Sequence, residues 1–342
     1  MFNPTYTTQY LARMPQDRPL AEHLLGSFQA YAKTQQFDLS PESLYAPIRY
    51  ALATEGKAVR PMLLLLTHAL GEPRVDAALP AAYALELFHN FTLVHDDIMD
   101  RASLRRGRPC VHVKYGEPTA ILAGDAMLIH TYGYLLDHYQ GELGRRILAH
   151  FQRMAVALCG GQQRDMDMEV AEVATFDAYL QMIHGKTGVL ITAAMTIGAE
   201  LAGLSEVDIA RIGQAGDLAG RAFQIQDDLL DTFRTSEVTG KMNYGDIVRG
   251  KLSAPYLKAL TLANPQQADW LANIYAGGET VRQARVQEVL SLFETLGVEN
   301  QLAASVHESS QAALNLLDQV GGSDAARAAL KSFVSRLATR AF

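Results

Sequence analysis

The chain has only two cysteines in 342 residues, Cys110 and Cys159. They suggest neither a disulfide framework nor a cysteine-based metal pair, so a reducing, cytoplasmic setting is expected. Both thiols read as small core or near-core residues. Positive charge is not in excess either. Lys and Arg number 30 against 37 Asp and Glu, a net charge of −7, which argues against a general nucleic-acid or anionic-membrane binder. A membrane span is lacking. The nearest approach, GVLITAAMTIGAELAGL at residues 188–204, is short for a bilayer and carries Glu200, so it reads as a buried core helix. Residues 1–16 are polar, without the apolar run that a signal peptide needs.

Proline is absent between Pro118 and Pro255. That stretch is rich in Ala, Leu, Met and Gln, which favours long helices. Few segments alternate apolar and polar residues with period two. Leu85, Phe88, Thr92 and the His95–Asp96 pair recur instead at helical spacing, with Pro80 early in the same helix. Glycines predict breaks at Gly71, Gly107, Gly116, Gly160–Gly161, Gly185, Gly240, Gly250, Gly277–Gly278 and Gly321–Gly322. No repeat, low-complexity tract or linker divides the chain. The reading is all-α: a single domain over 1–342 with a dozen or so helices, preceded by an irregular arm over 1–15.

The acids are clustered. HDDIMDRASLRRGRP at residues 95–109 places Asp96, Asp97 and Asp100 together. In a helix Asp96 and Asp100 share a face, while Asp97 is rotated by about 100°. Carboxylates four residues apart repel each other, and a cation between them would remove that cost. Hard oxygen ligands suit Mg²⁺, whose sites are usually completed by substrate phosphates. The spacing then recurs as Asp227, Asp228 and Asp231 in FQIQDDLLD, after an apolar helical run. Carboxylates among apolar residues are costly without a partner. Two such helices facing each other would form an acidic mouth able to hold a diphosphate through Mg²⁺. Basic pairs accompany them: Arg105 with Arg106 beyond the first cluster, and Lys57 with Arg60 in EGKAVRP, just before a helix starting near Pro61. Guanidinium forks and a helix N-terminus both suit phosphate.

These motifs resemble the trans-isoprenyl diphosphate synthases (polyprenyl synthetases), from about Gly56 to Lys251. HDDIMDRASLRRGRP is similar to the first aspartate-rich motif of that family and FQIQDDLLD to the second. EGKAVRP stands where the family has its GGK-type motif, with Glu55 replacing the first glycine. GGQQRD at residues 160–165, GKTG at 185–188 and TGKMNYGDIVRGK at 239–251 resemble three further motifs. The resemblance implies an isoprenoid synthase fold, mostly antiparallel helices around a central active-site cavity, usually in a homodimer. It also implies head-to-tail condensation of isopentenyl diphosphate with an allylic diphosphate (dimethylallyl, geranyl or farnesyl), with three Mg²⁺ ions expected.

By that resemblance Asp96, Asp100 and Asp227 are metal ligands. Asp97, Asp228, Asp231 and Asp246 hold metal-bound water or neighbouring groups, and Gln162 and Asp165 support the metal site. Arg105, Lys186 and Lys241 contact the allylic diphosphate. Lys57, Arg60, His89 and Arg106 hold isopentenyl diphosphate, with Lys251 among the substrate-binding residues. Thr187 and Gln224 stand beside the nascent cation. His95 reads as structural, Asp125 as a packing or capping acid, and Glu86 as a buried hydrogen-bond partner. The loop over residues 234–246 is expected to close over a bound diphosphate.

Product length follows from the tail's path. Phe91 lies five residues before Asp96, about 7–8 Å along a helix axis, where a phenyl ring would floor the cavity. Thr92 leaves the upper cavity open, and Phe88 offers a second floor. A short product is expected, geranylgeranyl (C20) ahead of farnesyl (C15) diphosphate. The rival readings are a class I terpene cyclase and a noncatalytic regulatory subunit of a synthase heteromer. The second acidic cluster counts against both.

Overall fold

The computed structural model describes residues 18–53, 56–169, 174–234 and 244–339. In chain order its helices are α1 (Arg18–Thr34), α2 (Glu42–Leu52), α3 (Val59–His68), α4 (Leu79–Met99), α5 (Val111–Tyr115), α6 (Glu117–His138), α7 (Gly141–Glu169), α8 (Phe176–Ile183) and α9 (Val189–Leu201). They continue as α10 (Glu206–Phe233), α11 (Gly245–Arg249), α12 (Ala254–Leu262), α13 (Pro265–Ala276), α14 (Glu279–Thr295), α15 (Val298–Asp318) and α16 (Asp324–Thr339). A π-helical turn (His184–Gly188) joins α8 to α9, and two short strands, β1 (Leu104–Arg105) and β2 (Arg108–Pro109), pair antiparallel. The all-α expectation holds. The N-terminal arm, Gly240, Lys241 and residues 235–243 of the expected closing loop lie outside the described residues.

The proline-free stretch supplies the longest helices, α7 with 29 residues and α10 with 28. Ser205 caps α10 by accepting the Asp208 amide at 3.2 Å, and Glu206 and Asp208 in the first turn complement the helix dipole. Pro80 sits in the first turn of α4, where its missing N–H costs nothing. Helix α9 is buried along nearly its whole length against α3, α7 and α10. Its Glu200 is neutralised by Arg146 at 2.7 and 2.9 Å and by His150 at 3.0 Å. That pairing lets an acid sit in a core helix. No helix among the described residues is long and apolar enough to cross a membrane.

The apolar residues form two clusters. One gathers α1 to α4, α6, α7, α9 and α16, and the other gathers α8 and α11 to α14. Helix α10 runs through both: Ile209, Ile212, Ala215 and Ala219 join the first, while Ala222, Ile225 and Leu229 join the second. The second aspartate cluster therefore stands on a helix clamped by apolar packing on both sides.

Several local expectations are corrected. Gly160, Gly161 and Gly185 do not break helices. Gly161 lies inside α7 because it meets the π turn backbone to backbone: a Cβ there would stand 2.2 Å from the Lys186 nitrogen and 2.3 Å from the Gly185 carbonyl carbon. Gly161 and Gly185 serve close approach rather than termination. Cys110 is buried as expected, but Cys159 is exposed, on the outward face of α7. Asp125 neither caps nor packs. It is exposed in the middle of α6, with one oxygen 3.8 Å from His95. The His95 reading stands: its Nε2 donates to the Ile121 carbonyl at 3.2 Å across the α4–α6 contact.

Candidate active site

Helix α4 ends in the first aspartate cluster and sorts its members by face. Asp96 and Asp100 lie one turn apart, partly or fully exposed, while Asp97 is turned inward and 3% exposed. Arg105 meets it there, with Nε 2.9 Å from each Asp97 oxygen and a terminal nitrogen at 2.7 Å. Asp97, expected at the metal, is thus committed to a guanidinium. Burial opposes the charge on Arg105, but the hydrogen bond and charge of Asp97 outweigh it and raise its pKa. The hairpin makes this possible. Arg106 and Gly107 occupy its two-residue turn at φ 52° and 74°, the left-handed conformation of a type I′ turn. The strand residue Arg105 is thereby anchored, and Arg106 is presented at the tip.

A second basic group forms one to two turns up α4. Arg60 donates to His89 Nε2 at 3.0 Å, so that nitrogen must carry the lone pair and the imidazole is neutral. Burial, then the charges of Arg60, Arg106 and Arg105, hold the His89 pKa well below its ordinary value. Glu86 opposes this positive charge. A Cβ on Gly56 would lie 3.3 Å from Glu86 Oε1 and 3.2 Å from an Arg106 terminal nitrogen, so acid and guanidinium crowd the same point. Burial raises the Glu86 pKa, and Arg60 and Arg106 pull it back. Ala58 caps α3 in a left-handed conformation at φ 49°, leaving Lys57 exposed on the turn before the helix.

The third wall is the π turn. Such turns are rare and frequent at functional sites. This one is gripped on one side by Gly161 of α7 and on the other by α10, where a Cβ on Gly220 would stand 2.7 Å from Gly188 Cα. Two of its three polar side chains reach opposite walls, while His184 pairs with Asp217 of α10. Lys186 Nζ bonds Asp165 Oδ2 of α7 at 2.5 Å, and the Thr187 hydroxyl donates to Gln224 Oε1 of α10 at 2.8 Å. On α10, Asp227 and Asp231 share a face and are partly exposed, whereas Asp228 is 3% exposed. Asp228 accepts from Gln224 Nε2 at 2.9 Å, from the Tyr179 hydroxyl at 2.8 Å and from the Ala254 amide at 2.9 Å. Like Asp97, it is a buried hub occupied by protein donors.

Charges on α7 and on the segment after α11 act near both acidic clusters. Burial raises the Asp96 pKa, and the charges acting on it are those of Lys186, Asp100, Arg105 and Asp165. Lys251 is opposed by desolvation but raised by Asp246, Asp228, Asp165 and Asp227. Asp165 therefore acts on both sides. Glu169 adds a carboxylate that sequence reasoning missed. Its pKa is raised by burial and by Asp165 and Asp100, against Lys186 and Lys251. Its place one turn after Asp165 was the available signal.

No three His, Cys, Asp or Glu side chains among the described residues stand close enough to hold an ion by themselves. That fits a hard cation completed by substrate oxygens and water better than a closed protein cage. Two buried acceptors, Gln162 Oε1 and Asp246 Oδ2, have no hydrogen-bond donor among the described residues, and metal-bound water supplies such donors. Burial, with Asp228 and Asp231 nearby, pushes Asp246 up to about 6 against the pull of Lys251. The donor set fits Mg²⁺.

Below Asp96 lies a run of aromatic contacts. Phe91, 9% exposed, meets His95 edge-on with centroids 5.0 Å apart and Phe88 at 5.2 Å. Phe88 in turn meets Phe151 of α7 at 5.1 Å, and Phe151 meets Tyr132 of α6 at 5.2 Å. Thr92 is buried beside them, its hydroxyl spent on the His89 carbonyl at 2.8 Å.

Comparison with known proteins agrees with this geometry. The pattern of the Polyprenyl synthetase family matches residues 41–293, a longer span than the motifs alone cover. A short chain isoprenyl diphosphate synthase of Methanothermobacter thermautotrophicus is 37% identical over 85% of this chain and 89% of its own. A geranylgeranyl diphosphate synthase of Methanosarcina mazei is 37% identical over 81% of this chain and 85% of its own. A crystal structure of a geranylgeranyl pyrophosphate synthase superposes with a TM-score of 0.87 at 34% identity, covering 95% of this chain and 99% of the other. The chain belongs to the polyprenyl synthetase family.

Proposed function

We propose that this chain condenses isopentenyl diphosphate head-to-tail with an allylic diphosphate (dimethylallyl, geranyl or farnesyl) to give a short all-trans prenyl diphosphate, C20 ahead of C15. The observation that carries the reading is the pair of solvent-reached i, i+4 aspartate turns on α4 and α10, with Lys186 of the π turn paired to Asp165 of α7, beside a separate cationic group of Arg60, His89 and Arg106. One end suits a metal-bridged diphosphate and the other a diphosphate held by protein cations alone.

Asp96, Asp100, Asp227 and Asp231 would hold the ions, with Gln162, Asp165 and Asp246 taking their water. Magnesium supplies positive charge that stabilises the leaving diphosphate. Arg105, set by Asp97, and Lys186, set by Asp165, hold the allylic diphosphate from the protein side. Lys251, and Lys241 beyond the described residues, join them. Lys57, Arg60, His89 and Arg106 orient isopentenyl diphosphate. The allylic C–O bond breaks with its electron pair leaving on diphosphate. The double bond of isopentenyl diphosphate then attacks the allylic cation, and a proton passes to the released diphosphate. Thr187 and Gln224 present oxygen dipoles that stabilise the cation without capturing it.

Turnover of isopentenyl diphosphate with each allylic primer and Mg²⁺, followed by chromatographic sizing, tests the reading. A hydrocarbon formed from farnesyl diphosphate and Mg²⁺ alone would instead identify a terpene cyclase, and no turnover on any primer would identify a regulatory subunit. Product length rests on the aromatic stack: Phe91→Ala is expected to shift the main product up by at least one isoprene unit. An unchanged profile puts the floor elsewhere.

The working form is a cytoplasmic homodimer. Helix α6 exposes Leu122, Ile129 and Leu136 at 60%, 70% and 55%. Their seven-residue spacing makes one apolar stripe, and a second copy would cover it. Ile129→Glu is expected to halve the mass seen by light scattering. A wild type that is monomeric at micromolar concentration sinks the dimer.

A further inference from the structure

Among the residues the reaction does not touch, one buried phenol is bonded directly to the catalytic wall. Tyr179 of α8 is 1% exposed. Its hydroxyl donates to Asp228 Oδ2 at 2.8 Å, the oxygen that also takes the Ala254 amide at 2.9 Å. The other Asp228 oxygen takes Gln224 Nε2 at 2.9 Å, and Gln224 Oε1 takes the Thr187 hydroxyl at 2.8 Å. Each link constrains the next. An amide nitrogen only donates, so a carboxylate at Nε2 obliges Oε1 to face Thr187. Thr187 has one hydroxyl hydrogen. Spending it on Gln224 leaves only lone pairs for the site, the polarity that a carbocation requires.

The chain of bonds starts in a rigid place. Tyr179 stacks on Phe176 with centroids 5.7 Å apart and belongs to the second apolar cluster. Burial, then the charge and hydrogen bond of Asp228, hold its pKa well above that of an ordinary tyrosine, so it remains a donor. Without it Asp228 Oδ2 keeps only the Ala254 amide, and a carboxylate left short of a donor in an apolar site turns towards other donors. A rotated Asp228 no longer dictates which way the Gln224 amide points.

We infer that Tyr179 is a positioning residue for prenyl transfer: through Asp228 it fixes the Gln224 amide and, with it, the Thr187 lone pairs beside the nascent allylic cation. This rests on the prenyl-transfer reading given above. It assigns a role to a residue that contacts no substrate and stands far from both aspartate motifs in sequence.

The test is a double-mutant cycle read at kcat. Tyr179→Phe keeps the ring and deletes the hydroxyl. It is expected to lower kcat about tenfold, the loss of one charge-assisted hydrogen bond, with KM for both diphosphates changed less than twofold. In a Thr187→Ala background the same change is expected to cost less than twofold, because the end of the relay is already gone. A purely structural tyrosine would lower the melting temperature and cost the same factor in both backgrounds. That result overturns the inference, as does an unchanged kcat in the single variant. If Tyr179→Phe does not fold, Asp228→Asn reads the relay from its middle and should show the same dependence on Thr187. A wild type that makes no prenyl diphosphate defeats the functional reading and this inference with it. An active wild type with additive variants defeats this inference alone.

Discussion

Asp96→Asn is expected to lower turnover about a hundred- to a thousandfold while raising the melting temperature of the metal-free protein. The activity loss follows from losing a ligand charge where a diphosphate must depart, since removing one such electrostatic contact typically costs 10²–10³ in kcat. The stability gain has the opposite origin. Burial raises the Asp96 pKa above its ordinary 3.8, with Asp100 and Asp165 adding repulsion against the pull of Lys186 and Arg105. A carboxyl raised on folding binds its proton more tightly in the folded state. Its contribution therefore falls as pH rises from 3.8 through the folded pKa, and the deficit persists at neutral pH. Asparagine has no charge to lose, so the deficit disappears. On the proposed function, the protein carries a destabilised acid in order to hold ions, a common trade at active sites. Thermal melts in EDTA at pH 3.5 and pH 8 check this, because the deficit builds as pH rises from 3.8: the gain from Asp96→Asn should be larger at pH 8. A variant that melts lower at both, or that keeps wild-type turnover, contradicts the assignment of Asp96 to the metal site.

Gly161→Ala is expected to cost about 1–3 kcal/mol of stability and about a hundredfold in kcat. The new methyl would overlap the Lys186 nitrogen and the Gly185 carbonyl carbon at 2.2 and 2.3 Å. These are backbone atoms that cannot rotate away, so α7 and the π turn must separate. Separation moves Lys186 off Asp165 and Thr187 off Gln224 together, since both side chains hang from that turn. A displacement of about 1 Å at reacting groups is enough for a hundredfold loss. Gly160→Ala is the control. The neighbouring glycine meets only the tip of Arg164, at 3.5 Å, and its variant should melt and turn over like the wild type. Equal behaviour of the two variants would mean that the glycine contact does not position the site.

Much of the site was legible because helical geometry is local. The i, i+4 spacing of Asp96 with Asp100 and of Asp227 with Asp231 assigns each pair to one face, and the same rotation turns Asp97 and Asp228 away. What those middle aspartates meet could not be read. Asp97 finds Arg105 across a hairpin closed by Arg106 and Gly107, and Asp228 finds Tyr179 and Ala254, 49 and 26 residues away in sequence. The readings of Gly160, Gly161 and Gly185 as breaks failed for a related reason, whereas Gly71, Gly107, Gly116, Gly250, Gly277–Gly278 and Gly321–Gly322 do lie between helices. A glycine that ends a helix and one that admits a neighbouring backbone look alike in sequence, and only the partner distinguishes them.

The sequence by itself determined the helical class, the two carboxylate turns, the basic pairs and the aromatic positions under the first turn, because helix periodicity and residue chemistry act over a few neighbours. Only the tertiary structure decided that Asp165 pairs with Lys186, that Lys186 and Thr187 ride on a π turn clamped between Gly161 and Gly220, and that Tyr179 backs Asp228. Those facts depend on which helices come within a van der Waals contact of one another. That is settled by how the whole set of apolar faces packs, and no short stretch of the chain contains it.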